Sequence, residues 1–252
     1  MAKKQELPAV KPEAVLPSLL GASPELLAQF EEVRENLESL ESFRLPRIKA
    51  TSEGFELVEG DEPITELVGT LIHTKKTNVY YDKPFNKRKP EPPTCFSNDA
   101  VLPDKSIAKP IHATCKGCPM AEFGTNAMKT GKACRNLKPF YILLSDTSIM
   151  PRQLTVTPTS LKAATQYLMD LTERGMAYKK VKTKIEAYKS DADDKFVKLK
   201  FSLVGKLDEQ QVKNAEFLKG KWLPVMEAQV VDQGETEAQV APQEPVTSKG
   251  EY

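Results

Sequence analysis

ITELVGTLIHT, residues 64–74, is the stretch on which the fold prediction depends. Its apolar and polar residues alternate and many of them are β-branched, a pattern that predicts a strand. NVYY, residues 78–81, predicts a second strand shortly after it. Residues 43–60 carry Gly54 and Gly60 as breaks and are predicted to begin the same sheet.

The chain downstream predicts more strands and a helix. A helix is predicted to begin at Pro158 and to end at Gly175, because apolar residues between them recur at helical spacing. Alternating or β-rich segments predict four strands, of which the last two form a hairpin, at 139–144, 152–157, 179–188 and 195–204.

Both ends of the chain differ from this central part. Residues 1–22 contain three prolines and predict a flexible arm. Apolar residues at helical spacing predict an amphipathic helix at 23–43, and Asp208 is predicted to cap a short last helix. Residues 223–252 are rich in Gln, Glu and Pro without periodicity, which predicts a disordered acidic tail.

The order of these elements indicates the fold class. Three strands precede an insertion at 82–138, and two strands, a helix and a hairpin follow it. We therefore predict a mainly β, α+β domain over 44–222, with an OB-like barrel at its centre and flanking helices. The five-stranded OB fold has a helix between its third and fourth strands, and here the insertion and extra strands occupy that connection.

Composition limits the location of the protein. Apolar residues make up 40% and charged residues 28% of the chain, values typical of a soluble globular protein. The longest dense apolar run, at 140–144, is far shorter than the roughly 20 residues that span a bilayer. The first ten residues lack a signal-peptide pattern. We therefore expect a cytoplasmic protein without membrane contact, in a reducing compartment where lasting disulfides are rare.

Charge is segregated along the chain although its formal net value is only +1. Residues 71–141 contain 13 Lys and Arg against 5 Asp and Glu, and residues 174–206 contain 10 against 4. Residues 223–252 contain six acidic residues and one lysine. A basic body followed by an acidic end predicts a polyanionic partner and a tail that can compete for the same site or recruit proteins.

All four cysteines lie in the insertion, as Cys95, Cys115, Cys118 and Cys134. Their C-x19-C-x2-C-x15-C spacing predicts one structural zinc ion held by four thiolates, because a C-x2-C turn directs two sulfur atoms to one ion. His112 is an alternative ligand in place of Cys95. A redox pair formed by the two central cysteines and four unrelated buried thiols are the competing interpretations.

The cysteine block also carries a resemblance to a known family. Its motifs are PRIK, LVGTLI, NVYY, PPTCFSNDA, CKGCPMAEFG, GKACRN, FYILL and TPTSLK, which together cover about residues 46–205. In layout the chain resembles zinc-containing single-stranded-DNA-binding proteins of tailed bacteriophages and mobile elements, which have an OB-like core. It departs from that pattern at Tyr80–Tyr81, where those proteins more often have Tyr-Trp, and at Asp99–Ala100, where they have Asp-Gly.

Two groups of residues are candidates for nucleic-acid contacts, because single strands are bound by cations that follow the phosphates and by aromatic rings that stack on bases. The first group interleaves both types over 75–89: Lys75, Lys76, Tyr80, Tyr81, Lys83, Phe85, Lys87, Arg88 and Lys89. The second is a set of alternating lysines in the predicted hairpin: Lys180, Lys182, Lys184, Lys198 and Lys200. Lysines that protect an exposed sheet from aggregation are the alternative interpretation of the second group.

These features favour a binding protein over an enzyme. We predict a single-stranded-DNA-binding protein that supports phage replication or recombination, with replication and recombination enzymes as partners of the acidic tail. A zinc-ribbon interaction protein that contacts a replication or transcription enzyme is the alternative. Catalysis is not expected, because the chain has two histidines and neither a P-loop nor a paired-carboxylate metal motif.

Overall fold

The computed structural model describes residues 21–38, 43–57, 62–83, 91–189 and 196–231. Parts of three predicted segments lie outside the described residues. They are residues 1–20 of the arm predicted at 1–22, residues 39–42 of the helix predicted at 23–43, and residues 232–252 of the tail predicted at 223–252.

The described chain is mixed α+β, and most of its strands follow one another in sequence. Nine strands are described: β1 (Arg47–Thr51), β2 (Gly54–Glu56), β3 (Glu66–Thr74), β4 (Thr77–Tyr80), β5 (Cys95–Ser97), β6 (Arg135–Leu143), β7 (Arg152–Val156), β8 (Val181–Tyr188) and β9 (Lys198–Lys206). Three α-helices are described: α1 (Pro24–Glu38), α2 (Leu161–Glu173) and α3 (Glu209–Ala228).

β3 is the strand that joins the two halves of the sheet. Its first residues, Glu66–Gly69, pair with β8, and its later residues, Thr70–Thr74, pair with β6. Seven strands follow one another in the order β2-β1-β7-β6-β3-β8-β9, while β4 and β5 extend the sheet beside β6. The alternating stretch at 64–74 therefore forms a central strand, as its sequence predicts.

The sheet curls into a half-barrel because β2 turns back toward the start of β3. Phe55 forms an isolated bridge with Ile64, and the two residues exchange backbone hydrogen bonds of 2.7 and 2.9 Å. Gly54 makes this approach feasible. A Cβ atom there would lie 2.3 Å from the Ile64 carbonyl oxygen, and its φ of +138° is rarely adopted by other residues.

Successive residues of β3 pack into two different cores. Leu71 faces the interior of the curl, with Phe140 and Leu154. Ile72 faces the other side, where α1 and α3 cover the sheet with Phe30, Trp222 and other apolar side chains. A strand that is buried on both faces has apolar residues at successive positions, which explains why Leu71 and Ile72 are both apolar.

Several local predictions are confirmed. The helix predicted after Pro158 is α2, and Gly175 follows it with a φ of +65°. The predicted hairpin is formed by β8 and β9, which pair along their whole length. Asp208 caps α3, since its carboxylate accepts a 2.8 Å hydrogen bond from the Gln211 amide.

Two element boundaries differ from the predicted ones, and a proline lies at each of them. The last helix continues through Pro224 to Ala228, so residues 223–231 are not part of a tail. Met226 on that helix is fully buried, and this packing offsets the backbone hydrogen bond that Pro224 cannot donate. β6 begins at Arg135 rather than at Pro139, inside the predicted insertion. Pro139 lies opposite the interruption between β3 and β4, where the ladder is broken in any case.

Residues 226–231, here called the C-terminal anchor, are held by side chains of the sheet. Lys75 donates to the carbonyl oxygens of Glu227 at 2.6 Å and Gln229 at 3.0 Å. Tyr141 donates its hydroxyl proton to the Met226 carbonyl at 2.6 Å. The side chain of Gln229 accepts from the Leu45 amide at 2.7 Å. These bonds fix the end of α3 against β1, β3 and β6.

Replacing Lys75 with Met is expected to destabilise the protein by about 1–3 kcal/mol, because the two anchor carbonyls lose their buried donor. Lys105→Met is the matched control, since the Lys105 side chain is exposed. Urea unfolding followed by circular dichroism measures both. Equal midpoints for the two variants would contradict the anchoring role of Lys75.

Candidate functional site

β4, β5 and β6 form a small sheet that supports the insertion. Asn78 of β4 pairs with Ser97 of β5 on one side and with Asn136 of β6 on the other. β4 resumes the register that β3 makes with β6, which aligns Lys76 with Lys138 at the interruption between β3 and β4. This register places residues from distant parts of the sequence side by side.

The two faces of the small sheet have different environments. On the back face, Val79 and Leu137 pack with Val231 of the C-terminal anchor, and Phe96 and Tyr81 cover them. Side chains alternate between the faces of a strand, so the neighbours of Val79 and Leu137 point to the other side. We call that side the front face and define it by five residues: Lys76, Asn78, Tyr80, Asn136 and Lys138.

The front face is polar and basic. The Asn136 side-chain amide donates to Asn78 Oδ1 at 2.8 Å, which holds these two amides together. The Lys138 ammonium lies 6.0 Å from the centre of the Phe140 ring. Burial, and secondly the charge of Lys76, lower the pKa of Lys138. Two cations and two amides therefore occupy adjacent rows of one sheet surface.

The insertion packs against one end of this face. Residues 98–134 contain only one short 3-10 turn, Pro119–Ala121, and are ordered by side chains that bond to the backbone. Asp99 accepts hydrogen bonds from the amides of Val101 at 2.7 Å and Leu102 at 3.0 Å, and these bonds lower its pKa. Asn126 accepts from the Thr130 amide at 2.8 Å. Loops of this length without regular structure are commonly functional.

The four cysteines meet at the junction between the insertion and the small sheet. All four line one cavity of about 20 Å³, together with His112 and side chains that include Asn78 and Ser97. Burial, followed by the neighbouring cysteines, raises the pKa of Cys134 to about 12, and burial raises the pKa of Cys95. Both thiols therefore retain their protons at neutral pH.

The structure contradicts the prediction of one structural zinc ion. Within the described ranges, no group of three or more His, Cys, Asp or Glu side chains is arranged so that it could hold a metal ion. A zinc site requires every sulfur at about 2.3 Å from one ion, a stricter condition than lining a common cavity. The C-x2-C spacing fixes only how Cys115 and Cys118 lie relative to each other. Their distances to Cys95 and Cys134 depend on how the insertion packs, which spacing does not determine.

His112 does not take the place of a cysteine ligand either. Its Nδ1 atom lies 2.9 Å from the Thr114 carbonyl oxygen within the same loop. It lines the cysteine cavity as a neighbour of the thiols. The interaction with Thr114 fixes the ring locally.

The first group of predicted nucleic-acid contacts is divided by the structure. Lys75 is only 8% exposed and is engaged by the C-terminal anchor and by Asn98 Oδ1 at 3.2 Å, so it is not accessible to a phosphate. Burial lowers the pKa of Lys75 to about 8. Tyr81 packs on the back face and donates to the Val231 carbonyl at 3.3 Å. Lys76 and Tyr80 remain on the front face.

The rest of that group follows β4 in sequence. Lys83 is exposed and forms a 2.8 Å ion pair with Glu91. Phe85, Lys87, Arg88 and Lys89 lie outside the described residues.

The predicted lysine surface on β8 and β9 is largely neutralised by acidic neighbours. Lys182 pairs with Asp146 at 2.8 Å. Lys184 lies 3.2 Å from both Glu66 and Glu186. The sequence pattern did not indicate Glu66 and Asp146 as partners, because both are distant in sequence, whereas Glu186 lies two residues after Lys184 on the same strand.

The remaining lysines of the second group differ in position. Lys200 is exposed and lies 3.9 Å from Glu186, and Lys198 is half-buried opposite Tyr188. Lys180 ends the 3-10 turn before β8, where its charge acts on Glu216 of α3. The second group therefore does not form an uninterrupted basic surface.

Lys138 and Asn136 were not among the nucleic-acid contacts predicted from the sequence. Both belong to β6, and a strand prediction that began at Arg135 would have placed them on one face by alternation. The prediction began at Pro139 instead, because proline rarely occurs inside a paired strand.

Comparison with known proteins gives no further guidance. No family model, no curated protein and no solved structure matches the chain. The resemblance to phage single-stranded-DNA-binding proteins therefore stays a prediction. None of the helices in the described ranges is both long and apolar enough to cross a membrane.

Replacing Asp99 with Ala is expected to loosen the start of the insertion, because the Val101 and Leu102 amides lose their acceptor. Hydrogen exchange should accelerate at these amides, whereas Glu122→Ala, in the same loop, should leave them unchanged. The pKa of Asp99 is lowered in the folded state, so its stabilisation is present above the usual aspartate pKa and is lost as pH falls below it. Protection that is equal in both variants would show that Asp99 does not order the loop.

Proposed function

We propose that this chain binds single-stranded DNA across the front face, without catalysing a reaction. The observation that supports this most strongly is the alignment of Lys76, Lys138, the Asn78–Asn136 pair and Tyr80 on one surface of a small sheet. The two lysines offer cations for phosphates, Tyr80 offers an aromatic ring for stacking, and Asn136 offers an exposed amide for base edges. Asn78 is only 6% exposed and accepts the hydrogen bond that positions the Asn136 amide.

The spacing of the front face suits an extended strand. Its rows lie two residues apart along β4, or about 7 Å. Lys76 and Lys138 form one row, the two asparagines form the next, and Tyr80 follows at the end that pairs with Cys95. A backbone that runs along these rows can place a phosphate at the lysines while a base reaches Tyr80.

The charge distribution favours the same surface. The segment 71–141, which contains the small sheet, has a surplus of basic residues, whereas Lys182 and Lys184 of β8 are paired with acids. Sequence-independent binding arises mainly from phosphate neutralisation, which releases condensed counterions. Unpaired cations contribute to this more than cations that must first leave a carboxylate.

An OB-like function is consistent with the curled sheet. OB folds bind oligonucleotides on a sheet face and in the adjoining loops, and here the insertion adjoins the front face. The resemblance to phage proteins suggests replication or recombination as the process. In that role, the acidic residues from 232 onward would offer a site for a replication or recombination enzyme.

An interaction function is the second candidate, and it is favoured by exposed apolar side chains on the insertion. Phe123 is 77% exposed and Met128 is 65% exposed, and three others accompany them: Val101, Leu102 and Ile111. Exposed apolar surface marks protein contacts, and all five residues belong to the insertion. A protein partner retained at high salt without any oligonucleotide binding would favour this candidate.

Oligo-dT is expected to bind the native protein more tightly than a duplex of equal length, with an affinity that falls steeply as salt rises. Tyr80→Ala should weaken binding by about 5- to 100-fold, as expected for the loss of one stacked base. Fluorescence anisotropy measures both effects. Tyr188→Ala, a half-exposed tyrosine on β8, is the matched control and should bind as the native protein does.

Equal or stronger binding to duplex would contradict the preference for single strands. Equal losses in the two tyrosine variants would remove Tyr80 from the interface. An oligo-rU arm of the same length distinguishes RNA from DNA preference.

A further inference from the structure

Lys76 and Lys138 occupy directly opposite positions in an antiparallel register. Thr74 pairs with Phe140 before the break in the ladder and Thr77 pairs with Leu137 after it, so the register on both sides aligns Lys76 with Lys138. Burial, and secondly the charge of Lys76, lower the pKa of Lys138, and the second effect is consistent with this proximity. Like charges placed directly opposite each other destabilise a sheet.

The surroundings of the pair do not relieve this repulsion. Lys138 is half-buried, and its ammonium lies over the edge of the core at Phe140. Among the described residues, no carboxylate forms an ion pair with either ammonium, in contrast to Lys182 and Lys184. The fold therefore keeps two cations together at a position where one neutral residue would be more stable.

We propose that Lys76 and Lys138 form a binding site for a phosphomonoester dianion, the group found at a phosphorylated end of a nucleic-acid strand. This inference rests on the proposed function and names the part of the strand that the lysine row prefers. Two ammonium groups supply six N–H donors, and a terminal phosphate supplies three acceptor oxygens with a charge between about −1.5 and −2 at neutral pH.

Charge balance distinguishes the terminal group from an internal one. An internal phosphodiester carries a single negative charge, so it would leave one of the two facing cations uncompensated. A terminal phosphate neutralises both and removes the repulsion between them. Charge-assisted hydrogen bonds to phosphate are about twice as strong as neutral ones, and the partial burial of Lys138 strengthens them further.

The adjacent rows give the strand a direction away from this site. The Asn78–Asn136 pair lies next to the lysines, and Tyr80 lies one row beyond. A strand whose terminal phosphate is held by the lysines therefore passes the amides before its bases reach Tyr80. End recognition and stacking would act on the same molecule.

The test compares oligo-dT strands of one length with a 5′-phosphate, a 3′-phosphate or hydroxyl groups at both ends. We expect one phosphorylated strand to bind the native protein about 10-fold more tightly than the hydroxyl-ended strand. Which strand gains identifies the end that is recognised. Lys138→Gln and Lys76→Gln should each abolish the gain, whereas Lys206→Gln, an exposed lysine at the end of β9, should retain it.

Two further measurements keep the outcome clear. Lys138→Arg preserves the charge and should recover most of the gain that Lys138→Gln loses. This recovery would show that the gain depends on a positive charge at residue 138. Inorganic phosphate should compete with the phosphorylated strand more effectively than chloride at equal ionic strength.

The results separate this inference from the proposed function. If hydroxyl-ended dT binds but phosphorylation adds nothing, or if the gain persists in both glutamine variants, the dianion site is wrong and the binding function stands. If the native protein binds none of the strands, the proposed function fails and the inference fails with it.

Discussion

The buried ammonium group of Lys75 connects the end of the chain to the centre of the sheet. It bonds to the Glu227 and Gln229 carbonyls at the interruption between β3 and β4, and so fixes α3 over the back of the sheet. Removing a charge from water is costly unless it is well bonded, and here three oxygen atoms surround it. The adjacent residue, Lys76, is left on the opposite side. One Lys-Lys pair thus serves both the fold and the candidate site.

This arrangement explains how a destabilising feature persists at the front face. Lys76 and Lys138 repel each other, but the strands that carry them are held by contacts elsewhere. Val79 and Leu137 pack on Val231 behind the small sheet, and Tyr141 bonds to Met226. Packing on the back face offsets the electrostatic cost on the front face. Functional sites commonly violate a local stability rule in this way, while the surrounding structure compensates.

Sequence analysis succeeded where structure depends on neighbouring residues. Alternation defined β3, β8 and β9, and apolar spacing with a terminal glycine defined α2, because these patterns report which face of an element is buried. It failed where distant segments meet. Burial of Met226 keeps α3 helical past Pro224, and two of the acids that pair with Lys182 and Lys184, Asp146 and Glu66, come from other parts of the chain. The burial of Lys75 and the position of Lys138 opposite β4 likewise depend on contacts between distant segments, which the spacing of residues along the sequence does not reveal.

The cysteines show the same limit for a strongly patterned motif. Their spacing predicted a zinc site, but the cavity that all four thiols line lacks the arrangement of a metal site among the described residues. The insertion is instead ordered by acceptors such as Asp99 and Asn126, which bond to its own backbone amides. These bonds fix the loop locally. The side chains that line the cysteine cavity belong both to the loop and to the small sheet, so the two pack together there. The insertion therefore borders the front face at the end where Tyr80 pairs with Cys95.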